Sequence, residues 1–463
     1  MVDRLTPLDA SFLYLEETTT PMHIGGLAIF APPPEPLDTA QLAELVSSRL
    51  DLVPRYRQRI RETPVGLASP VWVDDENFDV GYHVRRTALP RPGNTEQLHE
   101  LVARVLSRPL DRDRPLWEMY LVEGLAEGRL ALITKTHQAL VDGVGAIEIG
   151  EVLFDDTPDF TSVHDLPGDP WVPRREPTPL GLVVGALNEL VTRPSAFVGT
   201  VQHAAADVGR SVGRVAAASA SVMQVARTVT RPAPRSPLNV DIGEARRFAA
   251  AAAPFEQFRT LHQHYDATIN DVVLATVTGG LRAWLQMRGE PVTGRSTVRA
   301  LVPVSVNENG PGSTLATVIL ELPVGEPSPV VRLHQVAYAM RAGLEDHRTV
   351  SAQRLAGLAG FAPATLHAAG ARMAGGLSHR VFNLLVTNAP GPQQPRYLAG
   401  ARLLEAYPVS PLSKGQALSI GVTSYDGRVF AGLFGDRDAM PDLDVLAQCL
   451  DDALDELLET IET

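Results

Sequence analysis

The stretch Ile133-Thr134-Lys135-Thr136-His137-Gln138-Ala139-Leu140-Val141-Asp142-Gly143 gathers side chains suited to moving a proton. An imidazole such as that of His137 takes up and returns a proton near neutral pH, and one placed to accept the proton of an attacking hydroxyl contributes roughly 10²- to 10⁴-fold in rate. Gln138 has no basic nitrogen, so its amide can hold a hydroxyl or an oxyanion but cannot remove a proton. The carboxylate of Asp142 can orient a loop or cap a helix, and Gly143 breaks the stretch.

The elements around it place these residues at a strand end. Leu130, Leu132, Thr134 and Thr136 alternate with Ala131, Ile133, Lys135 and His137, the period of an extended strand. Beyond Gly143, Ala146, Ile149 and Leu153 recur at helical spacing, so the segment from His137 to Gly143 bridges a strand end and a helix start.

Helices are expected where capping residues precede apolar stripes. Thr6-Pro7-Leu8-Asp9 opens one, Asp38 with Gln41 a second that Pro54 ends, and Asn94 with Gln97 a third that Pro109 stops. Between them Trp72 to Val84 and Trp117 to Glu123 read as strands, as does His23 to Phe30 near the N-terminus. This alternation predicts a layered α/β domain over residues 1-155. Residues 156-236 read as a proline- and acid-rich linker followed by an Ala-, Val- and Gly-rich crossover. Positions 178-235 carry six Arg against Glu189 and Asp207, a local cationic excess. It reads either as a helical crossover packed across two domains or as a segment that touches anionic lipid.

Residues 237-463 predict a second α/β domain. Phe255, Phe258 and Leu261 mark a short helix, and Thr268-Ile269-Asn270-Asp271 opens a longer one through Leu274, Val277, Leu281 and Leu285. Strands are expected over Val298 to Val306, Leu315 to Leu322, Asn383 to Thr387, Leu418 to Ser424 and Val429 to Phe434. Helices are expected over Arg332 to Glu345 and Asp442 to Leu458.

Composition sets outer bounds. A chain of 463 residues suggests two domains, and a net charge of -13 argues against general nucleic-acid binding. The one cysteine, Cys449, excludes an intrachain disulfide and any multi-cysteine metal site, and it falls on the apolar stripe of the terminal helix. No basic leader precedes an apolar core, and no window approaches the about 20 apolar residues of a membrane span. A cytoplasmic protein is expected, with peripheral contact at a membrane or lipid droplet as the alternative role of the cationic segment.

His137-Gln138-Ala139-Leu140-Val141-Asp142-Gly143 resembles the HHxxxDG motif of the wax ester synthase/diacylglycerol acyltransferase family, whose members are built like chloramphenicol acetyltransferase and peptide-synthetase condensation domains. The resemblance extends to Leu8-Asp9-Ala10-Ser11-Phe12 and Pro21-Met22-His23-Ile24-Gly25-Gly26-Leu27, which match the family's N-terminal signature. Pro115-Leu116-Trp117 matches its PLW motif, Thr268 to Leu274 its ND motif, and Asn388-Ala389-Pro390-Gly391-Pro392 its NVPGP motif with Ala389 for Val. Ser424-Tyr425-Asp426-Gly427 and Asp436-Arg437-Asp438 fit its C-terminal region.

The resemblance implies two chloramphenicol-acetyltransferase-like domains with a tunnel between them, acyl-CoA as donor substrate, no cofactor or metal, and diacylglycerol or a long-chain alcohol as acceptor. In the family the second histidine of the motif is the general base, and Gln138 stands there. His137 is then either a substitute base or a brace for the loop, since neighbouring side chains on a strand point to opposite faces. Asp142 and Gly143 shape the loop, with Arg299 as candidate partner of Asp142. Trp117, Asn270, Asp271, Asn388 and Gly391 are the candidate substrate-binding positions. For Trp117 packing in the core or tunnel wall is the favoured reading, and for Asp271 a part in a helix cap. Gly312-Ser313 and Ser419 stand where family members often carry Asn. The acyltransferase reading has an alternative in which the chain, lacking its base, binds acyl chains or regulates an active relative. A condensing enzyme with a carrier-bound donor is a third reading that the same fold would support.

Overall fold

The computed structural model describes residues 3–63, 69–141, 149–158, 171–178, 181, 232–306, 314–345 and 381–462. In chain order the first half runs β1 (Asp3–Arg4), α1 (Pro7–Leu15), β2 (His23–Phe30), α2 (Thr39–Arg49), β3 (Gln58–Arg61), β4 (Val71–Asp74), α3 (Val80–His83), β5 (Val84–Ala88), α4 (Thr95–Leu106), β6 (Trp117–Glu123), β7 (Leu130–His137), α5 (Gln138–Val141) and α6 (Ile149–Leu153). The second half continues with β8 (Arg246–Pro254), α7 (Phe255–Tyr265), α8 (Ile269–Met287), β9 (Val298–Val306), β10 (Thr314–Leu322), α9 (Pro329–Glu345), β11 (Leu384–Pro390), β12 (Tyr397–Leu398), β13 (Ala401–Val409), β14 (Leu418–Tyr425), β15 (Arg428–Asp436) and α10 (Leu443–Glu462).

Local chemistry accounts for the helix starts. Thr6 with Asp9, Asp38 with Gln41, Asn94 with Gln97 and Thr268 with Asp271 each form a reciprocal capping box, satisfying backbone N–H groups that the first turn leaves without partners. The expected strand from Trp72 to Val84 is broken in the structure. Asp75 accepts the N–H of Asn77 and Asp79 that of Gly81, so two acidic side chains turn the backbone into α3 before β5 begins.

Two six-stranded sheets carry the molecule, in the orders β12-β13-β2-β7-β6-β5 and β10-β9-β11-β14-β15-β8, beside a small sheet β1-β4-β3. The first sheet is not built from the N-terminal half alone, because β13 returns to pair antiparallel with β2 from Leu403↔Phe30 to Val409↔Gly25. β13 also lies across the second sheet. Gly421 and Gly432 face each other on β14 and β15, and the carbonyl of Pro408 comes so close that a Cβ at Gly421 would sit 2.7 Å from it and one at Gly432 closer still. Absence of side chains at this crossing lets a strand of one sheet rest on the other.

Each sheet has its own apolar cover. α2 and α4 pack Leu42, Val46, Leu101, Val102 and Leu106 into the first core, where Phe248, Phe430 and Phe434 of the second sheet join them. α8, α9 and α10 cover the second sheet with Val272, Leu281, Trp284, Leu333, Leu446 and Leu454. The part of the linker at 171–178 is docked on the small sheet: the Arg174 N–H donates to Asp74 Oδ2 at 2.9 Å and Glu176 pairs with Arg59 at 2.6 Å. The greater part of the cationic segment, residues 182–231, lies outside the described residues.

Candidate functional site

β7 delivers the motif. It is the central partner of β2 and β6, in register from His23↔His137 to Phe30↔Leu130 on one side and Trp117↔Thr136 to Val122↔Ala131 on the other. At its end the His137 N–H donates to Leu116 O at 3.0 Å and the Gln138 N–H to Met22 O at 2.9 Å, after which the chain turns into α5. Asp142 and Gly143 lie outside the described residues.

His137 is 1% exposed. Its Nδ1 accepts the backbone N–H of Ala139 at 3.1 Å, so in the neutral ring the proton belongs on Nε2. That nitrogen has no hydrogen-bond partner among the described residues and lies 3.8 Å from Glu16 Oε1. Burial pushes the imidazole pKa down to about 4, with the Glu16 carboxylate opposing and Arg112 adding to the shift. His137 is therefore neutral at pH 7, with one nitrogen engaged and the other protonated. The half-buried Gln138 contrasts with it, because its side-chain amide makes no hydrogen bond to another described residue.

Charged groups that the motif does not announce surround His137. Glu16, the residue just past α1, accepts from Arg112 Nη2 at 2.6 Å and Nε at 3.0 Å through Oε2, while its Oε1 accepts the Met22 N–H at 3.2 Å. Lys135, two residues before His137, is 1% exposed, and its Nζ stands 3.7 Å from Glu118 Oε2. Burial lowers the Lys135 pKa to about 8 although Glu118 opposes the change. His23, the register partner of His137, is held well below its ordinary pKa by burial and then by Lys135, and its Nε2 bonds Leu106 O at 2.7 Å. Positions 16 and 112 lie far from the motif in sequence, so no sequence signal joined them to the loop, whereas Lys135 stands on the strand that leads into it.

The structure distributes the remaining candidates over three places. Trp117 is in the core, 1% exposed, with its indole N–H donating to Tyr56 O at 2.8 Å and its ring stacked on His83 at 4.5 Å. Asp271 completes the cap of α8, its Oδ2 accepting the Thr268 N–H at 2.9 Å. Asn270 is left free by that cap, and its Oδ1 accepts from Asn388 Nδ2 at 3.0 Å, so the ND and NAPGP stretches meet through their asparagines. Gly391 packs against the Ser424 carbonyl so tightly that a Cβ would clash with it. Arg299 pairs with Glu321 at 2.9 Å. Ser419 donates to Ser410 O at 2.7 Å, whereas Gly312 and Ser313 lie outside the described residues. Among the described residues no cluster of His, Cys, Asp or Glu could hold a metal ion, and no helix is long and apolar enough to cross a membrane.

The chain is mixed α/β with a polar loop at a central strand end, and known proteins share its fold. The family model described as the wax ester synthase/diacylglycerol acyltransferase catalytic domain matches residues 5–273, and that of the C-terminal domain of the same enzymes matches residues 312–458. A probable diacylglycerol O-acyltransferase of Mycobacterium tuberculosis is 48% identical over 270 residues, covering 58% of this chain and 97% of the relative. Another from the same organism is 34% identical over 466 residues, 99% of this chain and 96% of the relative. The wax ester synthase/diacylglycerol acyltransferase from Marinobacter aquaeolei superimposes with a TM-score of 0.71 at 30% identity over 100% of both chains. The first condensation domain of the calcium-dependent antibiotic synthetase shares the fold alone, with a TM-score of 0.58 at 16% identity over 99% of this chain and 96% of that one.

Proposed function

Because the chain belongs to the wax ester synthase/diacylglycerol acyltransferase family, we propose that it is an acyl-CoA-dependent O-acyltransferase of neutral-lipid synthesis, converting diacylglycerol to triacylglycerol or a long-chain alcohol to a wax ester. The observation that carries this reading is the strand-end loop His137 to Val141 on a fold that matches such an enzyme along its whole length. Acyl-CoA as donor, a cytoplasmic location with peripheral contact at a membrane or lipid droplet through residues 178-235, and the domain limits 1-155 and 237-463 belong to the proposal.

In the reaction the acceptor oxygen attacks the thioester carbonyl, the C–O bond forms as the C–S bond breaks, and the hydroxyl proton leaves with the CoA thiolate. A base in the transition state speeds the attack. Gln138 at the family's base position holds the acceptor hydroxyl or the developing oxyanion by hydrogen bonds and leaves the proton to the thiolate. His137 is unsuited to take it, since Nδ1 accepts the Ala139 N–H and Nε2 carries the ring proton. Transfer is consequently slow. The same observation favours a second reading, a member that binds acyl chains or neutral lipid, or regulates an active relative. Incubating the purified chain with palmitoyl-CoA and diolein or hexadecanol separates the two: CoA release matched by ester formation supports the enzyme, and acyl-CoA binding without any ester supports the second reading.

A further inference from the structure

A buried carboxylate is costly unless charge and hydrogen bonds compensate it. The side chain of Glu16 is 8% exposed. Its partner Arg112 comes from the loop between α4 and β6 and is itself half exposed, with a second bond from Nη2 to Leu13 O at 2.9 Å. An ion pair of this kind could form at the surface. Instead the carboxylate divides its oxygens: Oε2 takes both Arg112 contacts, and Oε1 turns inward to the Met22 N–H at 3.2 Å and to within 3.8 Å of His137 Nε2.

The inward oxygen leads directly to position 138. Met22 gives its N–H to Glu16, and its carbonyl, in the next peptide unit, takes the Gln138 N–H at 2.9 Å. Arg112, Glu16, Met22 and Gln138 thus form one hydrogen-bonded series from the surface to the backbone from which the Gln138 side chain leaves. The turn that carries Glu16 is fixed from the other side as well. Glu17 pairs with Lys414 at 2.9 Å, and the Thr19 carbonyl accepts from Arg246, at the start of β8. Both cations belong to the second half of the chain, so the Glu16 turn is seated by one half and holds the loop of the other.

Resting on the acyltransferase reading above, we propose that Glu16 is a positioning residue for the reaction: it sets the place of residue 138 through the backbone of Met22 and confines the His137 ring. No substrate contact is required of it. Reactions that depend on a near-attack geometry are sensitive to displacements of about 1 Å, which cost about 10²-fold in rate.

The test compares Glu16→Ala and Glu16→Gln in the full chain. Glutamine keeps an oxygen for the Met22 N–H and alanine does not, so positioning makes the two differ. With palmitoyl-CoA and diolein, Glu16→Ala is expected to lower kcat about 10- to 100-fold with either KM changed less than about twofold. Glu16→Gln is expected to retain most of the native rate. Hydrogen exchange at the Met22 and Gln138 amides supplies a readout independent of turnover. It should rise at least about tenfold in Glu16→Ala, with Leu132 in mid-β7 unchanged, and stay near native in Glu16→Gln. A native kcat in a folded Glu16→Ala, a loss expressed only in KM, or equal exchange in the two variants overturns the proposal. If the native chain makes no ester, the acyltransferase reading fails while the exchange comparison still decides the role of Glu16.

Discussion

Lowering the pH should destabilise the protein through His137. The ring is 1% exposed and its pKa is pushed down to about 4, against about 6.5 in an unfolded chain. Between those values the unfolded chain binds a proton that the folded protein refuses, so stability falls as pH drops through 6.5 and stops falling, for this group, below 4. The full loss is about 3 kcal/mol, and about 2 kcal/mol of it is reached by pH 5. His23 and His99 are also buried with lowered pKa values, so the native pH dependence contains several histidines. Replacement His137→Asn isolates one of them, because an amide oxygen can accept the Ala139 N–H in place of Nδ1 while nothing at 137 titrates. Urea unfolding at pH 7.5, 6.0 and 5.0, followed by tryptophan fluorescence, should show the variant losing about 2 kcal/mol less than the native chain by pH 5. Glu16 and Arg112 are the charged groups that act on the ring, and both remain in the variant. Parallel curves for the two proteins, or an imidazole resonance of His137 titrating near pH 6.5, would show that burial does not hold the ring neutral.

Further consequences concern packing and the motif positions. Gly432→Ala places a Cβ against the Pro408 carbonyl where β13 crosses the second sheet, and should cost about 1–3 kcal/mol, read as a lowered Tm in thermal denaturation. An unchanged Tm would mean that the crossing is looser than described. Trp117→Ala should act on stability, by about 3–5 kcal/mol, because the ring packs between Tyr56 and His83 within the core. A stable Trp117→Ala protein with a selectively raised KM for acyl-CoA would place that residue at the substrate instead.

Much of this architecture was legible because short-range chemistry and tertiary structure agree. Each capping box read from Thr6, Asp38, Asn94 and Thr268 is present, and the alternation from Leu130 to His137 forms a strand. Elements that depend on distant partners were not legible. β8 runs Arg246 to Pro254 through five alanines, a composition with no two-residue period, and it is extended because β15 pairs with it along its whole length. β13 contains Pro408 and a register shift beside Glu405, and its place in the first sheet is set by β2, far earlier in the chain. The site divides in the same way. Family-like spacing marked His137, Gln138, Asn270 and Asn388, and the Asn270–Asn388 bond joins two of these stretches. Glu16 and Arg112 belong to the loop only through the fold, since a helix end and an inter-element loop meet there across 96 positions of sequence.

The orientation of His137 bears on the strand argument as well. Its side chain shares a sheet face with His23 and Lys135, and burial on that face keeps the ring neutral. A loop that supplies no histidine base to the acceptor hydroxyl is recognised by the initial rate of palmitoyl-CoA-dependent acylation of diolein in the native chain, in Gln138→His and in His137→Asn. The rate should rise about 10²-fold or more in Gln138→His and change little in His137→Asn. A native rate that Gln138→His does not raise, together with its collapse in His137→Asn, would make His137 the base.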